Sequence, residues 1–484
     1  MEIIGRTKHR PALHFTPEQH WLNDPNGLVY YEGEYHLFYQ YHPHSSIWGP
    51  MHWGHAVSKD LINWEELDIA LYPDDHGYAF SGSAVVDWNN TSGLFPEKPG
   101  IVAIYTSHQE PTETSPSVQR QSLAYSHDNG RTWSKYAGNP VLAHPSKPDF
   151  RDPKVFWSEA HGKWMMVLAT DQTITFYSSP NLREWSLESE FGEGAGSHDA
   201  VWECPDLFEL PVEGTGDSKW VLLVSIGDNS GARYGSRTQY FVGGFDGSVF
   251  TPEHSDIRWL DYGKDNYAGV SFSDIPAADG RRIFIGWMSN WRYANQVPSQ
   301  GWRGAMTIPR VLTLHDAADG RMLIRQQPVA ELDRNFAAES AALPEMLLIP
   351  GERQDIKCKD SALELRLTLA DNEAEEFGLI IHHTATEYTE LIYSAAEDTL
   401  TLHRDQSGET GFSEIFPDLQ STGGIGSLKS LRILLDACSV EVFANDGLAA
   451  ITSLVFPGGI CSGLSFYAKG GSVRLQGGRL SFME

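Results

Sequence analysis

Three carboxylic acids in the first half of the chain occupy similar places, each beside a proline-containing turn and just ahead of an apolar stretch. They are Asp24 in Asn23-Asp24-Pro25, Asp152 in Arg151-Asp152-Pro153 and Glu203 in Glu203-Cys204-Pro205. A proline holds the residue before it in extended backbone, so Asp24 is presented in one orientation. One such motif alone is typical of an Asx turn before a strand. Its recurrence indicates carboxylates positioned for acid–base or nucleophilic chemistry.

The elements that carry these acids belong to a unit that occurs five times. Each unit has a polar start, an apolar strand, a turn and a second apolar strand, with polar starts near residues 24, 82, 152, 203 and 265. Three units continue through a serine and a polar turn to a tryptophan, at residues 58–64, 126–133 and 178–185, which predicts a hairpin between outer strands. A period of about 50 to 70 residues is typical of four-stranded blades with inserted loops, so the sequence predicts a five-bladed β-propeller.

The predicted propeller brings the three acids together. The innermost strand of each blade runs along the central axis, so the first residues of these strands meet at one end of the channel. Asp24, Asp152 and Glu203 all hold that position. Like charges at close range repel and raise the pKa of at least one group, which makes the cluster costly in a purely structural role. The sequence therefore predicts a catalytic centre with three carboxylates.

The last third of the chain has a different pattern. At 484 residues the chain is too long for one typical core, so two domains are expected. From about residue 340, apolar and polar residues alternate strictly, as at 363–369 and 439–443, which predicts a β-sandwich. We expect an all-β protein with the propeller at residues 1–325, a linker with a short helix at 326–340 and the sandwich at 341–484. The sandwich is expected to stabilise the propeller or to form contacts in a homo-oligomer.

Composition narrows the range of partners. The net charge of −28 argues against nucleic acids and anionic membranes, and no stretch is long enough to span a membrane. The four cysteines match no zinc spacing and are predicted to be buried thiols without disulfides. The histidines at 42, 44, 52 and 55 are expected to form hydrogen bonds and not to bind a metal. The first ten residues lack the apolar run of a signal peptide, so a cytoplasmic location is expected, with secretion after removal of a signal peptide as the alternative.

Four motifs follow one another along the chain. They are Trp21-Leu22-Asn23-Asp24-Pro25-Asn26-Gly27, Phe80-Ser81-Gly82-Ser83, Arg151-Asp152-Pro153 and Glu203-Cys204-Pro205. In this order they resemble glycoside hydrolase family 32, the β-fructofuranosidases, which include invertases, exo-inulinases and levanases. The resemblance covers nearly the whole chain and implies a five-bladed propeller followed by a β-sandwich. It also implies a retaining mechanism with Asp24 as nucleophile, Glu203 as general acid and then base, and Asp152 as the group that stabilises the transition state.

The same resemblance implies a substrate pocket and no metal or organic cofactor. The residues implied to line the fructose pocket are Asn23, Gln40, Trp48, Phe80, Ser81, Arg151 and Trp287. The substrate is expected to be a small molecule or an oligosaccharide. From the residues themselves, the amides of Asn23 and Asn26 favour the ionised form of Asp24, as a nucleophile requires.

Two later segments favour one group of substrates within the family. Residues 286–294 and 301–310 resemble exo-inulinases and levanases more than sucrose-phosphate hydrolases. We therefore expect release of terminal fructosyl units from fructans, fructo-oligosaccharides and sucrose. The alternatives are a sucrose or sucrose-6-phosphate hydrolase, a fructosyltransferase, an arabinanase-like hydrolase of the same architecture and a sugar-binding propeller without catalysis. The presence of all three acids disfavours the last, and the linear motifs disfavour the arabinanase-like enzyme.

Overall fold

The first two-thirds of the chain folds into five sheets of mostly antiparallel strands in this computed structural model, which describes residues 8–336 and 339–483. The first sheet consists of β1 (His20–Tyr31), β2 (Glu34–His42), β3 (His52–Ser58) and β4 (Trp64–Leu71). The second consists of β5 (Tyr78–Val86), β6 (Ile101–Gln109), β7 (Val118–Ser126), β8 (Ser134–Lys135) and β9 (Leu142–Ala143). The third consists of β10 (Phe150–Ser158), β11 (Lys163–Thr170), β12 (Thr173–Ser179) and β13 (Ser186–Phe191).

Two further sheets complete this part of the chain. The fourth consists of β14 (Trp202–Pro211), β15 (Ser218–Ile226), β16 (Arg237–Phe245), β17 (Phe250–Pro252) and β18 (Arg258–Trp259). The fifth consists of β19 (Tyr267–Ser271), β20 (Arg282–Trp287), β22 (Arg310–Asp316) and β23 (Met322–Pro328). After β20 the chain forms a short 3₁₀ helix (Ala294–Gln296) and β21 (Trp302–Arg303), which pairs in parallel with β1. This pairing links the last sheet back to the first.

The first strands of the five sheets form a ring. β1 packs against β5, β5 against β10, β10 against β14, β14 against β19, and β19 again against β1. Sheets that radiate from a ring of inner strands make a β-propeller. The predicted all-β propeller is confirmed, and the five sheets begin where the five polar starts were placed.

Each inner strand has an irregularity in register near its first residues. The shifts fall between residues 22 and 25, 79 and 82, 151 and 154, 203 and 206, and 267 and 270. Within three of them Asp152, Cys204 and Ala268 have positive φ angles of 63°, 44° and 53°. Positive φ is strained for a residue with a side chain, and bulges change the direction in which side chains point. Three strained residues therefore lie at the end of the channel that carries the three acids.

The outer turns predicted from the serine-to-tryptophan segments share one hydrogen bond. Trp64, Trp133 and Trp185 each donate from Nε1 to the carbonyl oxygen three residues earlier, at 3.0, 2.9 and 2.9 Å. The indole thus satisfies a turn carbonyl that has no strand partner and packs between blades.

The rest of the chain forms two facing sheets. One contains β24 (Glu339–Leu343), β25 (Met346–Leu348), β27 (Leu363–Asn372), β32 (Ser430–Asp436), β33 (Ser439–Ala444), β34 (Ala449–Leu454) and β36 (Val473–Phe482). The other contains β26 (Arg353–Asp360), β28 (Glu376–His382), β29 (Tyr388–Ser394), β30 (Thr399–His403), β31 (Gln420–Ser421) and β35 (Cys461–Lys469). A 3₁₀ helix (Asn445–Gly447) connects β33 to β34. Alternate residues of both sheets fill one core between them, as in a β-sandwich.

The segment between propeller and sandwich contains a 3₁₀ helix at Ala330–Phe336. Residues 326–328 of the predicted linker continue β23, because they pair with β22. Ala337 and Ala338, also in the predicted linker, lie outside the described residues. The limits placed at 325 and 340 stay a prediction.

Buried charged side chains fill the boundary between propeller and sandwich. Arg310 donates to Asp261 Oδ2 at 3.0 Å and to Glu441 Oε1 at 2.7 Å. His14 lies between Asp436 Oδ2, at 2.8 Å, and Glu441 Oε2, at 3.3 Å. All five side chains are at most 3% exposed. The two parts of the chain are therefore joined by paired charges without access to water.

The segment that leads into β19 is attached to the sandwich by its main chain. Tyr262 N donates to Ala450 O at 2.9 Å, and Asp265 N donates to Thr452 O at 3.2 Å. The carboxylate of Asp265 also accepts a hydrogen bond from Arg404 at 2.6 Å. The segment thus runs alongside β34, attached to it as an added strand would be but without strand geometry, and β19 begins two residues later.

The cysteines and histidines behave largely as ordinary buried side chains. Cys204, Cys358, Cys438 and Cys461 are free thiols, with Cys358 Sγ and Cys461 Sγ 3.0 Å apart. Within the described ranges, no three His, Cys, Asp or Glu side chains are grouped so as to hold a metal. His42 and His52 hydrogen-bond to carbonyl oxygens, and His36 to His55. In the same part of the chain no helix is both long and apolar enough to cross a bilayer.

Candidate active site

The three acids lie at one end of the propeller channel, which we call the active-site end. Asp24 is in β1, Asp152 in β10 and Glu203 in β14, each within the first residues of an inner strand. Cys204 Sγ lies 3.6 Å from Asp24 Oδ2 and 3.5 Å from Asp152 Oδ2. The two aspartates are 9% and 6% exposed, whereas the side chain of Glu203 is 20% exposed. The structure thus brings the three sequence-predicted acids into one site, with Glu203 the most open to solvent.

Hydrogen bonds fix the carboxylate of Asp24 in one orientation. Ser81 Oγ donates to Oδ2 at 2.7 Å, and Asn23 Nδ2 donates to Oδ1 at 3.0 Å. Trp21 Nε1 donates to Asn23 Oδ1 at 2.7 Å and so sets which way the amide points. Burial raises the pKa of Asp24 to about 6, and the charge of Glu203 adds to the increase, while Ser81 and Asn23 oppose it. The amide of Asn23 favours ionisation as the sequence indicated, but burial outweighs it. The amide of Asn26 faces Gly82 instead of Asp24, so that part of the expectation is wrong.

Asp152 is held by the backbone of the neighbouring blade. Cys204 N donates to Asp152 Oδ2 at 3.0 Å, and the backbone N–H of Asp152 donates to Thr106 Oγ1 at 3.0 Å. Burial raises the pKa of Asp152, Arg151 opposes that increase, and the charges of Glu203 and Asp24 add to it. Two buried carboxylates with raised pKa values at the same site mark it as a functional site.

Both oxygens of Glu203 have a partner. Arg151 donates to Oε1 from Nη2 at 3.0 Å and from Nε at 3.3 Å, and the hydroxyl of Tyr267 donates to Oε2. Arg151 is itself held by Asp149 and by Gln119 Oε1, the latter at 3.3 Å. The orientation of the glutamate is thus set from two sides by residues of the third and fifth sheets.

Three of the predicted substrate-binding residues contact these acids directly. Asn23 and Ser81 bind Asp24, and Arg151 binds Glu203. A fourth, Gln40, is buried and donates from Nε2 to the carbonyl of Ala79 at 2.9 Å, two residues before Ser81. The first three side chains position the acids, and Gln40 holds the strand that carries Ser81.

Two aromatic residues border the same end of the channel. Phe80 stacks on His108, with ring centroids 4.2 Å apart and planes at 4°. Trp48 is 37% exposed, and its ring centroid is 6.2 Å from that of Phe80. They offer the apolar surface against which a sugar ring can pack.

Trp287 differs from the other predicted pocket residues because it is fully buried. Its ring packs 6.0 Å from that of Trp21 and 4.8 Å from that of Trp291. With no surface open to a substrate, it supports Trp21 and, through it, Asn23. The resemblance implies that this tryptophan lines the pocket, whereas the structure places it behind Trp21, away from any open surface.

Sequence reasoning missed five residues of the site. Cys204 was taken for an ordinary buried thiol, Tyr267 only for part of the fifth polar start, and His108, Gln119 and Asp149 were not singled out. Position beside a predicted acid was the available signal for Cys204, and the fifth polar start was the signal for Tyr267. Nothing in the local sequence marks the other three, since they act through contacts with Phe80 and Arg151.

Carboxylates in buried and more open positions around one end of a propeller channel fit a glycosidase, which uses a pair of such acids. The family model described as the glycosyl hydrolases family 32 N-terminal domain matches residues 14–328, and the model of the C-terminal domain matches residues 333–481. The chain belongs to glycosyl hydrolase family 32.

Several characterised proteins are similar to this chain. A levanase of Bacillus subtilis (strain 168) is 48% identical, over 97% of this chain and 69% of the levanase. A levanase of Bacillus sp. (strain L7) is 39% identical over 97% of this chain, which spans only 51% of that protein. The extracellular exo-inulinase of Aspergillus niger is 37% identical over 93% of this chain and 90% of its own length.

Solved structures have the same fold. The exo-inulinase of Aspergillus awamori superposes with a TM-score of 0.89 at 33% identity, covering 99% of this chain and 98% of the other. A β-fructofuranosidase of Schwanniomyces occidentalis, complexed with fructosyl-erythritol, superposes with a TM-score of 0.88 at 32% identity, covering 99% of both chains.

Proposed function

We propose that this protein is a retaining β-fructofuranosidase that releases terminal β-D-fructofuranosyl units from fructans, fructo-oligosaccharides and sucrose. The observation that carries the proposal is the meeting of Asp24 and Asp152 at the thiol of Cys204, next to Glu203 in β14. The names of the similar proteins, levanase, exo-inulinase and invertase, supply the substrate class. A cytoplasmic location stays a prediction.

Asp24 fits the role of nucleophile. Its carboxylate is held by Ser81 and Asn23, so the attacking oxygen needs little reorganisation before it reaches the anomeric carbon. With a pKa of about 6 it is mostly ionised at neutral pH. The attack forms a covalent fructosyl ester and expels the remainder of the substrate.

Glu203 fits the role of acid and base. It is the most solvent-exposed of the three acids and so can reach the leaving oxygen and then a water molecule. It gives its proton to the leaving oxygen in the first step and takes a proton from water in the second. Arg151 and Tyr267 keep its two oxygens in place between these steps.

Asp152 fits the role of transition-state stabiliser. It is buried beside Asp24 and held by the backbone N–H of Cys204, which leaves its second oxygen for the hydroxyls of the fructosyl unit. Such contacts accelerate the reaction only if they strengthen as positive charge develops on the ring.

The stereochemistry of transfer tests the proposal. Sucrose is cleaved in water containing methanol, and the first methyl fructoside is identified by NMR. A retaining enzyme gives the methyl β-D-fructofuranoside, because two inversions restore the starting configuration. The α-anomer as first product contradicts the double displacement. Accumulation of longer oligosaccharides at high sucrose identifies a fructosyltransferase, and cleavage of sucrose without cleavage of inulin or levan identifies an invertase.

A further inference from the structure

A groove with a volume of about 1020 Å³ lies at the end of the channel opposite to the acids. We call this the far end. It is bordered by residues in the last part of the inner strands or just beyond them, among them Trp88, Trp157, Glu209 and Asp274. At about 3.3 Å per residue, Ser81 and Trp88 are roughly 20 Å apart. Ligand pockets usually measure about 300 to 1000 Å³, so the groove has room for several sugar units.

A buried ion pair separates the groove from the active site. Lys154 Nζ lies 3.4 Å from Asp206 Oδ2 and also donates to the carbonyl of Ser271. Ser271 N donates to the same carboxylate at 2.6 Å. The side chains of Lys154 and Asp206 are 6% and 0% exposed, and a buried pair of this kind is costly to separate. The groove is therefore a site of its own and not a second opening of the active site.

Trp88 forms a fixed flat surface in this groove. Its side chain is 56% exposed, yet Nε1 donates to Asp274 Oδ1 at 2.8 Å. The other oxygen of Asp274 accepts a hydrogen bond from Val86 N at 3.0 Å, and the ring of Tyr31 packs edge-on at 5.7 Å. Because the indole is already held in one orientation, a ligand that stacks on it loses little conformational entropy of the protein.

Other aromatic and charged side chains share the groove. Trp220 lies 5.8 Å from Phe156 and 5.2 Å from Phe245, ring to ring, and all three line the cavity. Glu209 and Arg282 are beside them. A sugar ring has apolar C–H surfaces and a rim of hydroxyl groups, so it binds where aromatic faces lie next to carboxylate and guanidinium groups.

We propose that this groove is a second carbohydrate-binding site, which holds a remote part of the fructan whose end is cleaved. This rests on the proposed function. A neutral polymer suits a chain with a net charge of −28. The acids that line the groove outnumber its two cations, Lys154 and Arg282, so the groove repels anionic ligands and leaves a neutral sugar unaffected. Sucrose is too short to reach both ends of the channel. A long chain held at the far end raises the effective concentration of its own ends at the active site.

Kinetics of the Trp88→Ala variant test the proposal, with Leu187→Ala as control. Leu187 is 62% exposed on β13 and does not line the groove. Loss of one stacking contact raises KM for long-chain inulin or levan about 3- to 10-fold, with kcat and KM on sucrose and 1-kestose unchanged. An unchanged KM on the polymer, or an equal rise on sucrose, overturns the proposal. If Trp88→Ala melts at a lower temperature than wild type, the same kinetics are measured on Glu209→Ala, because Glu209 is exposed in the groove.

Binding without turnover separates this proposal from the proposed function. Asp24→Asn is run in native gels that contain levan, with and without Trp88→Ala. Weaker retardation of the double variant supports a second site even if wild type cleaves no fructan, and equal retardation overturns it even if cleavage is normal. A second copy of this chain is the alternative occupant of such a groove, and sedimentation velocity tests for it by measuring the oligomeric state. If Trp88→Ala converts a dimer to a monomer, the groove is a subunit interface and the proposal is wrong.

Discussion

The active-site end and the boundary between propeller and sandwich both bury carboxylates in clusters, yet the pKa values move in opposite directions. At the active-site end the pKa values of Asp24 and Asp152 are raised. At the domain boundary those of Asp261, Asp436 and Glu441 are lowered. All five side chains are almost completely buried, so burial alone does not explain the difference.

Positively charged neighbours explain why the pKa values at the domain boundary are lowered. Burial raises the pKa of Asp261 and Glu441, but Arg310 lies against both carboxylates and brings the net shift below zero. Burial lowers the pKa of His14, but Asp436 and Glu441 raise it to about 9. At the domain boundary, each acid therefore touches a buried cation, and these ion pairs hold the two parts of the chain together.

At the active-site end one cation serves several acids, and Asp24 has none among the described residues. Arg151 is shared by Asp149, Asp152 and Glu203, and Asp24 is held only by neutral donors and a thiol. Its charge is left without a direct counter-ion, which keeps it reactive toward the developing positive charge of a substrate. In this chain, the acids of the domain boundary have closer cationic partners than Asp24 and Asp152 have at the active-site end.

The largest expected effect is on turnover. Asp24→Asn removes the nucleophile and is expected to lower kcat by about 10⁴-fold or more on sucrose and on a nitrophenyl fructoside alike. Glu203→Ala removes the proton donor and is expected to cost about 10²- to 10⁴-fold on sucrose but far less on the nitrophenyl substrate, whose leaving group hardly needs a proton. Asp152→Asn is expected to lower kcat with little change in KM. If Asp24→Asn keeps substantial activity and Asp152→Asn is inactive, the roles assigned to the two aspartates must be exchanged.

The next effect is on stability at the domain boundary. Glu441→Gln leaves Arg310 and His14 with one acid fewer in a buried site. We expect the free energy of unfolding to fall by about 3 to 5 kcal/mol at pH 7, with kcat per folded molecule close to that of wild type. Urea unfolding followed by tryptophan fluorescence measures the change. A neutral result means that the boundary charges do not hold the domains together.

The matched change at the active-site end is expected to have the opposite sign. Asp24 has a folded pKa of about 6, above its usual 3.8, so folding becomes less favourable as pH rises from about 4 to 6. Asp24→Asn removes this cost and is expected to increase the free energy of unfolding by about 1 to 2 kcal/mol at pH 7, and not at pH 4. Parallel urea titrations at both values check it. Destabilisation at pH 7 contradicts the account of the raised pKa.

The smallest effect concerns pH dependence. Because Asp24 must be ionised to attack, kcat/KM is expected to fall about tenfold per unit below pH 6. The thiol of Cys204 lowers the pKa of Asp24 slightly, so Cys204→Ala is expected to move the acid limb upward by a few tenths of a pH unit. Pre-steady-state or initial-rate profiles from pH 4 to 8 measure the limb, with the buried Cys438→Ala as control. A downward shift means that the contact does not favour the ionised carboxylate.

The three acids could be predicted from the sequence because local patterns carry their position. Asp24, Asp152 and Glu203 each stand at the start of an apolar strand in a repeated unit, and repetition places such residues at one end of a channel. Cys204 and Tyr267 could not be assigned in this way. Their contacts depend on bulges and positive φ angles at the start of the inner strands, which no simple alternation of residues reveals.

The ion pairs at the domain boundary could not be predicted from local sequence patterns either, for another reason. Asp261 and Glu441, which share Arg310, are separated in the sequence by more than half of the propeller's length, so pairing them requires the tertiary structure. Burial of Trp287 is equally hidden, since a tryptophan in a strand can face the site or the core behind it. The periodicity of the strands predicts the sheets, whereas the details of the site depend on contacts between distant strands.

The segment attached to β34 makes the lifetime of the enzyme at high temperature a property of two domains. Tyr262 and Asp265 hydrogen-bond to the main chain of β34, and Tyr267, which follows directly, donates to Glu203. When heat parts the domains, the segment before Tyr267 loses its partner on β34, and one of the two residues that orient the glutamate is held less firmly even though the propeller is still folded. We therefore expect inactivation to coincide with the first calorimetric transition and to precede melting of the propeller. A chain ending after Phe336 should keep all three acids and still turn over slowly.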